Sequence, residues 1–484
     1  MVQKKFIQFS ANEQDAERMH IEDEHPFRSK FERDRDRILY SKEFRRLSGK
    51  TQVFVTSFDD HVRTRLTHTL EVSQISRTIS LQLGLNEILT EAIALSHDIG
   101  HTPFGHCGER TLNHIMNGCD KIKIFGNVPN GERGFKHNWQ GIRVVNDLEQ
   151  ISSKFCGLNL TNYTLWGILN HTGISSKECD YKDENGKCNL RIDNKNCSCN
   201  NISFDFYERR YKLPLNSWTF EAIVVRVADE IAQIHHDIED SLENQIFNKE
   251  EILELFDSLF HNYLTEDDKK NLGKIKKETE QNMYIPLISK LIVNFLVSKL
   301  VENIQENFKR IEEKYYVKEY EDMKEFRKTL ESKEQGLINY FKIINYDEDL
   351  KKIVKEFNNV SKSRILDSYV AQIMDGKSNY ILRCLIKAYL INPQQLHDRT
   401  IISFYKSYIG QEEFFDKYYN KMNSQIVYQL RANLKEDHYK KCDSKYKDCL
   451  LRTICDYISG MTDNYALEQF RLLYGNDHIG KGIF

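Results

Sequence analysis

Proline is scarce in this 484-residue chain: there are 6, alongside 22 glycines. Both fall below average usage, and so little proline over such a length argues against a turn-rich β architecture and for helix. An excess of charge of one sign is also missing. The 69 basic and 72 acidic residues leave a net charge of −3, so no whole-molecule field draws the chain to nucleic acid or to a membrane. The stretch Met1-Val2-Gln3-Lys4-Lys5-Phe6 has no apolar core of signal-peptide length. The most apolar segment, about 286–301, is interrupted by Ser289, Lys290, Asn294, Ser298 and Lys299, which predicts a core helix and no membrane span. The 11 cysteines form no regular secreted framework, so reduced thiols and a cytoplasmic location are expected.

What is present is histidine, and it is clustered. Ten of the 16 histidines lie between His61 and His236. The densest stretch is His97-Asp98-Ile99-Gly100-His101-Thr102-Pro103-Phe104-Gly105-His106-Cys107-Gly108-Glu109. The apolar run 89–95 predicts a helix leading into it. Gly100 is expected to end that helix with a positive φ, and Pro103 to sit in the first turn of the next. Adjacent His and Asp side chains diverge by about 100° on a straight helix, so His97 and Asp98 can share one ion only near a helix end. His106 and Glu109, three apart, share a face of the following helix.

Further helices are predicted over 66–83, with Leu70, Ile75, Ile79 and Leu83 on one face, over 110–118, from 135 to 143, over 162–171 and over 219–243. Asp229 interrupts the apolar pattern of the last, and a lone carboxylate there needs a partner or a cation. Asp237 follows two turns later on the same face. Residues 50–55 read as a short extended piece. The arginine-rich run 33–46 suits either a solvated helix face or a polyanion. Residues 175–205 look like an insertion, whose Cys179, Cys188, Cys197 and Cys199 could hold a structural zinc, although the usual Cys-x2-Cys pairs are absent. The expected organisation is an N-terminal arm and first helix (1–60), a catalytic core (61–245) carrying that insertion, and a C-terminal helical region (246–484) packed on the core.

His68, His97-Asp98 and Asp229 come from three predicted helices. Two imidazoles and two carboxylates suit Mn²⁺, Mg²⁺, Fe²⁺, Co²⁺ or Zn²⁺ with water completing the shell. His101, His106 and Glu109 would supply acid–base groups beside it. Arg63 and Arg65 could hold phosphates.

These pieces resemble the HD-domain metal-dependent phosphohydrolases, and closely the deoxyguanosine triphosphate triphosphohydrolase (dGTPase) family. The matching strings are Arg-Asp-Arg-Asp-Arg-Ile at 33–38, Lys-Thr-Gln-Val-Phe at 50–54 and Thr-Arg-Leu-Thr-His-Thr-Leu-Glu-Val at 64–72. They continue with the 97–109 stretch, Phe-Lys-His-Asn-Trp-Gln at 135–140, Gly-Leu-Asn-Leu-Thr at 157–161, Ala-Asp-Glu-Ile-Ala-x-x-x-His-Asp-Ile-Glu-Asp at 228–240 and Gly-Met-Thr-Asp-x-Tyr-Ala at 460–466. The resemblance implies an all-α fold: an HD-domain helical core with additional C-terminal helices. It implies one divalent metal on His68, His97, Asp98 and Asp229, and a catalytic His106 with Glu109 as its partner. His101 would lie near the α-phosphate and Arg65 on a phosphate. Gln52 and Asp237 would hold the deoxyribose near its 3′-hydroxyl. The implied reaction converts a dNTP to deoxynucleoside and inorganic triphosphate by attack at the α-phosphorus. It also implies a homo-oligomer, tetramer or hexamer, and in some members a dNTP activator. One departure stands out: Gln233 replaces the tyrosine that the family usually places against the sugar. The competing readings are another HD-domain nucleotide phosphohydrolase (nucleotidase or phosphodiesterase), and a nucleotide-sensing or single-stranded-nucleic-acid-binding member.

Overall fold

A computed structural model describes residues 5–52, 63–119, 128, 132–152, 155–172, 203–213, 217–331, 341–418, 423–440 and 443–475. Among the described residues every regular element is a helix, and the strand-like contacts are three isolated bridges. The fold is all-α, as the proline scarcity implies. The extended piece expected at 50–55 is described only to Gln52, whose N–H donates to the Arg63 carbonyl at 3.3 Å. The insertion's Cys179, Cys188, Cys197 and Cys199 lie outside the described residues.

The helices around the histidine cluster are α1 (Lys30–Leu39), α2 (Lys42–Arg46), α3 (Arg65–Leu83), α4 (Glu87–Ser96), α5 (Gly105–Met116), α6 (His137–Arg143), α7 (Asn162–Asn170), α8 (Asp205–Arg210) and α9 (Phe220–Glu243). The clustered histidines sit on α3, α5, α6 and α9 and in the turns that end α4 and α7. Side-chain caps start several of these where the sequence supplies them. Ser29 and Glu32 form a capping box on α1, while Thr64, Asn86, Thr161 and Thr219 cap α3, α4, α7 and α9. Gly84 closes α3 at φ 76°. On α3 the buried face runs through His68, Val72, Ile75, Ile79 and Leu83. Leu70, expected on that face, is exposed; two residues from His68, it points to the opposite side of the helix.

α3, α4 and α9 pack in one apolar cluster with the long helix Gln281–Tyr315 and the helix Glu348–Leu366. Gln281–Tyr315 is long and apolar enough to cross a membrane by length and composition. Its Ile288, Ile292, Phe295, Leu296 and Leu300 are buried in this cluster. A second cluster joins Phe104, Leu112, Ile115 and Met116 to the C-terminal helices between Met374 and Leu467. Both clusters therefore meet around the stretch that carries the histidines.

The arginines of α1 are engaged internally. Arg33 and Arg37 pair with Glu22 at 3.2 and 2.6 Å, and Arg35 pairs with Asp36 and Glu91 at 3.2 and 3.3 Å. Arg37 also donates to the Leu158 and Asn159 carbonyls. Within α1, packing against neighbouring elements accounts for these side chains; Lys42, Arg45 and Arg46 of α2 are exposed.

Candidate functional site

α4 stops at Ser96, and His97 is its C-cap. The last carbonyls of a helix lack intrahelical partners. His97 uses one of them: its Nδ1–H donates to Ala94 O at 2.7 Å. That fixes the tautomer, and the buried Nε2 faces inward with no hydrogen-bond partner. Gly100 does not take the positive φ expected of it, since it is not among the residues with left-handed backbone. Its role is close approach instead: a Cβ there would collide with the His137 carbonyl and the Gly141 amide of α6.

Beyond the helix end, Asp98 turns back toward His97. His97 Nε2 lies 3.5 Å from Asp98 Oδ1 and 3.8 Å from Asp229 Oδ1, and His68 Nε2 lies 3.0 Å from Asp229 Oδ1. Ligand atoms around one small divalent ion sit roughly 3 Å apart when each is about 2.1 Å from it. The set therefore fits a metal in donor chemistry and spacing, and the orphaned Nε2 of His97 is the polar atom that such an ion would satisfy. His68, His97 and Asp98 are all buried. Burial alone would raise the Asp98 carboxyl, but His101, His97 and Arg65 more than offset it and hold it well below the usual range. Asp229 is likewise held low against burial by His68 and His97.

Arg65 opens α3 and is 1% exposed. Its Nη1 donates to Asp98 Oδ2 at 2.7 Å, while Nε and Nη2 have no partner. Arg63, two residues earlier, is spent on Glu239 and Asp240. Of the two arginines singled out in the sequence, only Arg65 thus keeps donors for an incoming anion.

The turn 101–104 is held from far along the chain. The buried Lys50 Nζ donates to His101 O at 2.5 Å and to Ser459 O at 3.0 Å. Phe104 is left-handed at φ 61°, a strained state for a non-glycine residue, and its N–H donates to Asp463 Oδ1 at 2.8 Å. The other oxygen of Asp463 accepts from Thr51 N–H at 3.0 Å and from the Thr51 hydroxyl. The helix α5 therefore begins at Gly105, after a left-handed corner, and Pro103 precedes its first turn.

Glu109 lies one turn into α5, as the spacing predicts, but its hydrogen bonds go elsewhere than expected. They run to Lys136 Nζ at 2.6 Å, to His137 Nδ1 and to the His137 N–H at 3.2 Å; none runs to His106. The physical reason is α6, which Gly100 admits close enough to place His137 beside Glu109. A carboxylate only accepts, so His137 Nδ1 carries a proton. Its Nε2 lies 3.1 Å from His171 Nε2. His171, the C-cap of α7, donates its Nδ1–H to Ile168 O at 2.7 Å, as His97 does to Ala94. Burial and neighbouring His137 and His97 lower the His171 pKa to about 3 and so favour its neutral form. His137 stacks on His101, which donates Nε2–H to Asp98 Oδ1 at 3.2 Å. His106 sits at the open edge, exposed, with its ring centroid 5.5 Å from that of His101 and 6.4 Å from that of His137. The surrounding protein and Arg65 bias His106 toward the neutral form.

Sequence reasoning missed His137 and His171. Their signal was the pairing of His137 with the 135–140 string, and the terminal position of His171 on its helix.

On α9, Asp229, Gln233 and Asp237 follow at four-residue intervals and so share a face; Asp237 is buried and the other two half-buried. Burial raises the Asp237 carboxyl to about 6, with Lys362 and Arg63 pulling the other way. Gln52, in the segment that pairs with Arg63, is buried, and its Oε1 has no hydrogen-bond partner.

Residues 65–234 match the family model described as HD domain, and residues 413–472 match that described as phosphohydrolase-associated domain. The chain is 30% identical over 463 residues to a deoxyguanosinetriphosphate triphosphohydrolase-like protein of Leptospira interrogans, covering 96% of this chain and 94% of that one. A protein of the same name from Bartonella quintana is 31% identical over 474 residues, with 96% and 94% covered. Another, from Caulobacter sp. strain K31, is 43% identical over 235 residues, which are 48% of this chain and 52% of that one.

Proposed function

The chain belongs to the deoxyguanosinetriphosphate triphosphohydrolase-like family of HD-domain phosphohydrolases, and from that premise we propose that it hydrolyses a dNTP at the α-phosphorus, releasing deoxynucleoside and inorganic triphosphate. The observation that carries this reading is the convergence of unpartnered buried groups: the Nε2 of His97 and the Nε and Nη2 of Arg65, all beside Asp98.

His68, His97, Asp98 and Asp229 would hold a divalent cation, which when bound polarises a phosphoryl oxygen and lowers the pKa of a bound water. Arg65 offers the N–H donors of Nε and Nη2 to a phosphate oxygen while Nη1 keeps Asp98 oriented. Expulsion of the 5′-oxygen requires a proton. His137, held by Glu109 through its Nδ1–H and in contact with His171 through Nε2, is placed to pass one. His106 is the ring open to incoming substrate. His101 would sit by the α-phosphate. The orphaned Oε1 of Gln52 and the carboxyl of Asp237 are acceptors for a sugar hydroxyl.

A panel of dNTPs and NTPs, singly and in mixtures, with Mn²⁺ or Mg²⁺ and with products identified, tests the reading. Deoxynucleoside plus triphosphate is the expected outcome. Orthophosphate or pyrophosphate products would replace it with a nucleotidase or phosphodiesterase, and stimulation seen only in mixtures would reveal a nucleotide activator.

A further inference from the structure

The two candidate imidazole ligands are wired differently. His97 is fixed by a backbone carbonyl, through the bond from its Nδ1–H to Ala94 O. His68 has a side chain in that place. Its Nδ1 lies 3.3 Å from His236 Nδ1, with the rings edge to face and centroids 5.2 Å apart. On its far side, His236 Nε2 meets Glu71 Oε2, which also receives His235 Nε2 at 3.3 Å. His68 and His236 are each 1% exposed, whereas Glu71 is 39% exposed. The row therefore runs from the half-exposed face of α3 to the centre of the site.

We infer that Glu71 and His236 are positioning residues that set the tautomer of His68, so that His68 Nε2 presents a lone pair to the cation. The inference rests on His68 being a ligand, as proposed above. The proton count has one solution compatible with ligation. The Glu71 carboxylate only accepts, so His236 Nε2 carries the hydrogen. A neutral His236 then has a lone pair on Nδ1, which accepts from His68 Nδ1–H. That leaves Nε2 of His68 bare. If His236 carried its hydrogen on Nδ1 instead, His68 would hold its own on Nε2, aimed at Asp229 Oδ1 3.0 Å away, and could ligate nothing. Metal-bound histidines commonly donate their second N–H to a carboxylate, carbonyl or water; here another imidazole takes that part and a carboxylate instructs it. Glu71, His235 and His236 are close enough to hold an ion themselves. However, the Arg63 guanidinium already stands 4.0 Å from Glu71 Oε1 and supplies the positive charge there.

The test is a competition titration of the full chain with Mn²⁺ alone, following affinity and stoichiometry, with thermal unfolding as the check on folding. Glu71→Ala should weaken Mn²⁺ binding by about 10–100-fold, the range for lost partners of metal-bound histidines. Glu71→Gln should restore it to near the native value, because the amide oxygen accepts the same hydrogen bond without the charge. His68→Ala should abolish tight binding. Native affinity in Glu71→Ala, with binding lost in His68→Ala, overturns the relay and leaves the ligand set standing. Unchanged binding in His68→Ala overturns the ligand assignment and the relay with it. A Glu71→Gln protein as weak as Glu71→Ala, or loss of a second Mn²⁺ equivalent with the tight one unaltered, also overturns the relay.

Discussion

The imidazoles of His101 and His137 lie face to face, with centroids 3.9 Å apart and planes inclined by 18°. His101 turns its Nε2 to Asp98, and His137 turns its Nδ1 to Glu109. The stack thus joins the cluster proposed to hold a cation to the cluster proposed to move protons. Burial would raise the Glu109 carboxyl, but His137 and Lys136 hold it well below the ordinary range.

His97→Ala or Asp98→Ala should lose bound metal and hydrolysis together, because each removes one member of a four-residue set. Metal analysis of the purified variants decides it: full occupancy in Asp98→Ala would defeat the ligand assignment.

His106→Ala and His137→Ala should each lower kcat by about 10²–10⁴, the usual contribution of general acid–base groups, and each should keep its metal. If the two rings serve one proton path, the double variant should be little worse than the poorer single one. Additive losses would assign them to separate steps.

Much of this site was legible in the sequence, but its pairings were not. The helices on either side of the 97–109 stretch, most of the inward face of α3 and the carboxylate in α9 follow from residue spacing. The roles given to Gly100 and Pro103 do not hold, since the first helix stops at Ser96 and the second starts at Gly105. The partner of Glu109 does not. It depends on α6 approaching Gly100, and no local rule states which distant helix will use the space left by a missing side chain. The anchors Lys50 and Asp463 were equally hidden, for Lys50 reaches partners 51 and 409 residues on and Asp463 reaches back 359 and 412. Leu70 misled because a count of apolar residues ignores which polar residue, here His68, claims the buried side.

Asp463→Ala should destabilise the fold by roughly 3 kcal/mol or more. It leaves the buried Thr51 and Phe104 N–H groups unsatisfied, and each such group costs about 1–3 kcal/mol. Chemical unfolding measures this, and activity should fall further than the stability change explains. A variant equal to native in both would show that the left-handed Phe104 needs no anchor.

Asp237 carries a pH signature. Its folded pKa of about 6 stands above the unfolded value of about 3.9. The protonated carboxyl is therefore favoured by folding; that contribution is complete below about pH 4 and is lost as pH rises through about 6. Native protein should lose up to about 3 kcal/mol over this window relative to Asp237→Asn, which cannot titrate. Parallel stability curves for the two proteins would refute the raised value.

On the proposed reading, Gln233 would face the sugar. A tyrosine packed beside C2′ leaves no room for a 2′-hydroxyl, whereas glutamine is thinner and both donates and accepts. A pocket able to hydrogen-bond an added hydroxyl rejects it weakly. Gln233→Tyr should raise the ratio of kcat/KM for dGTP over GTP. An unchanged ratio, with metal and fold intact, would mean that Gln233 points away from the sugar.

Lys50 and Asp463 also bear on the order of synthesis. A ribosome delivers every proposed metal ligand by residue 229, but the carboxylate that grips Phe104 emerges 359 residues after it. The second bond of Lys50, to the Ser459 carbonyl, must wait 409 residues. N-terminal segments can begin to fold while the rest is still being made, yet the turn bearing His101 gains these two anchors only at the end of synthesis. On the proposed assignment, every metal ligand is therefore synthesised long before the anchors of the turn, and the proposed hydrolysis would become possible only once translation has passed Asp463.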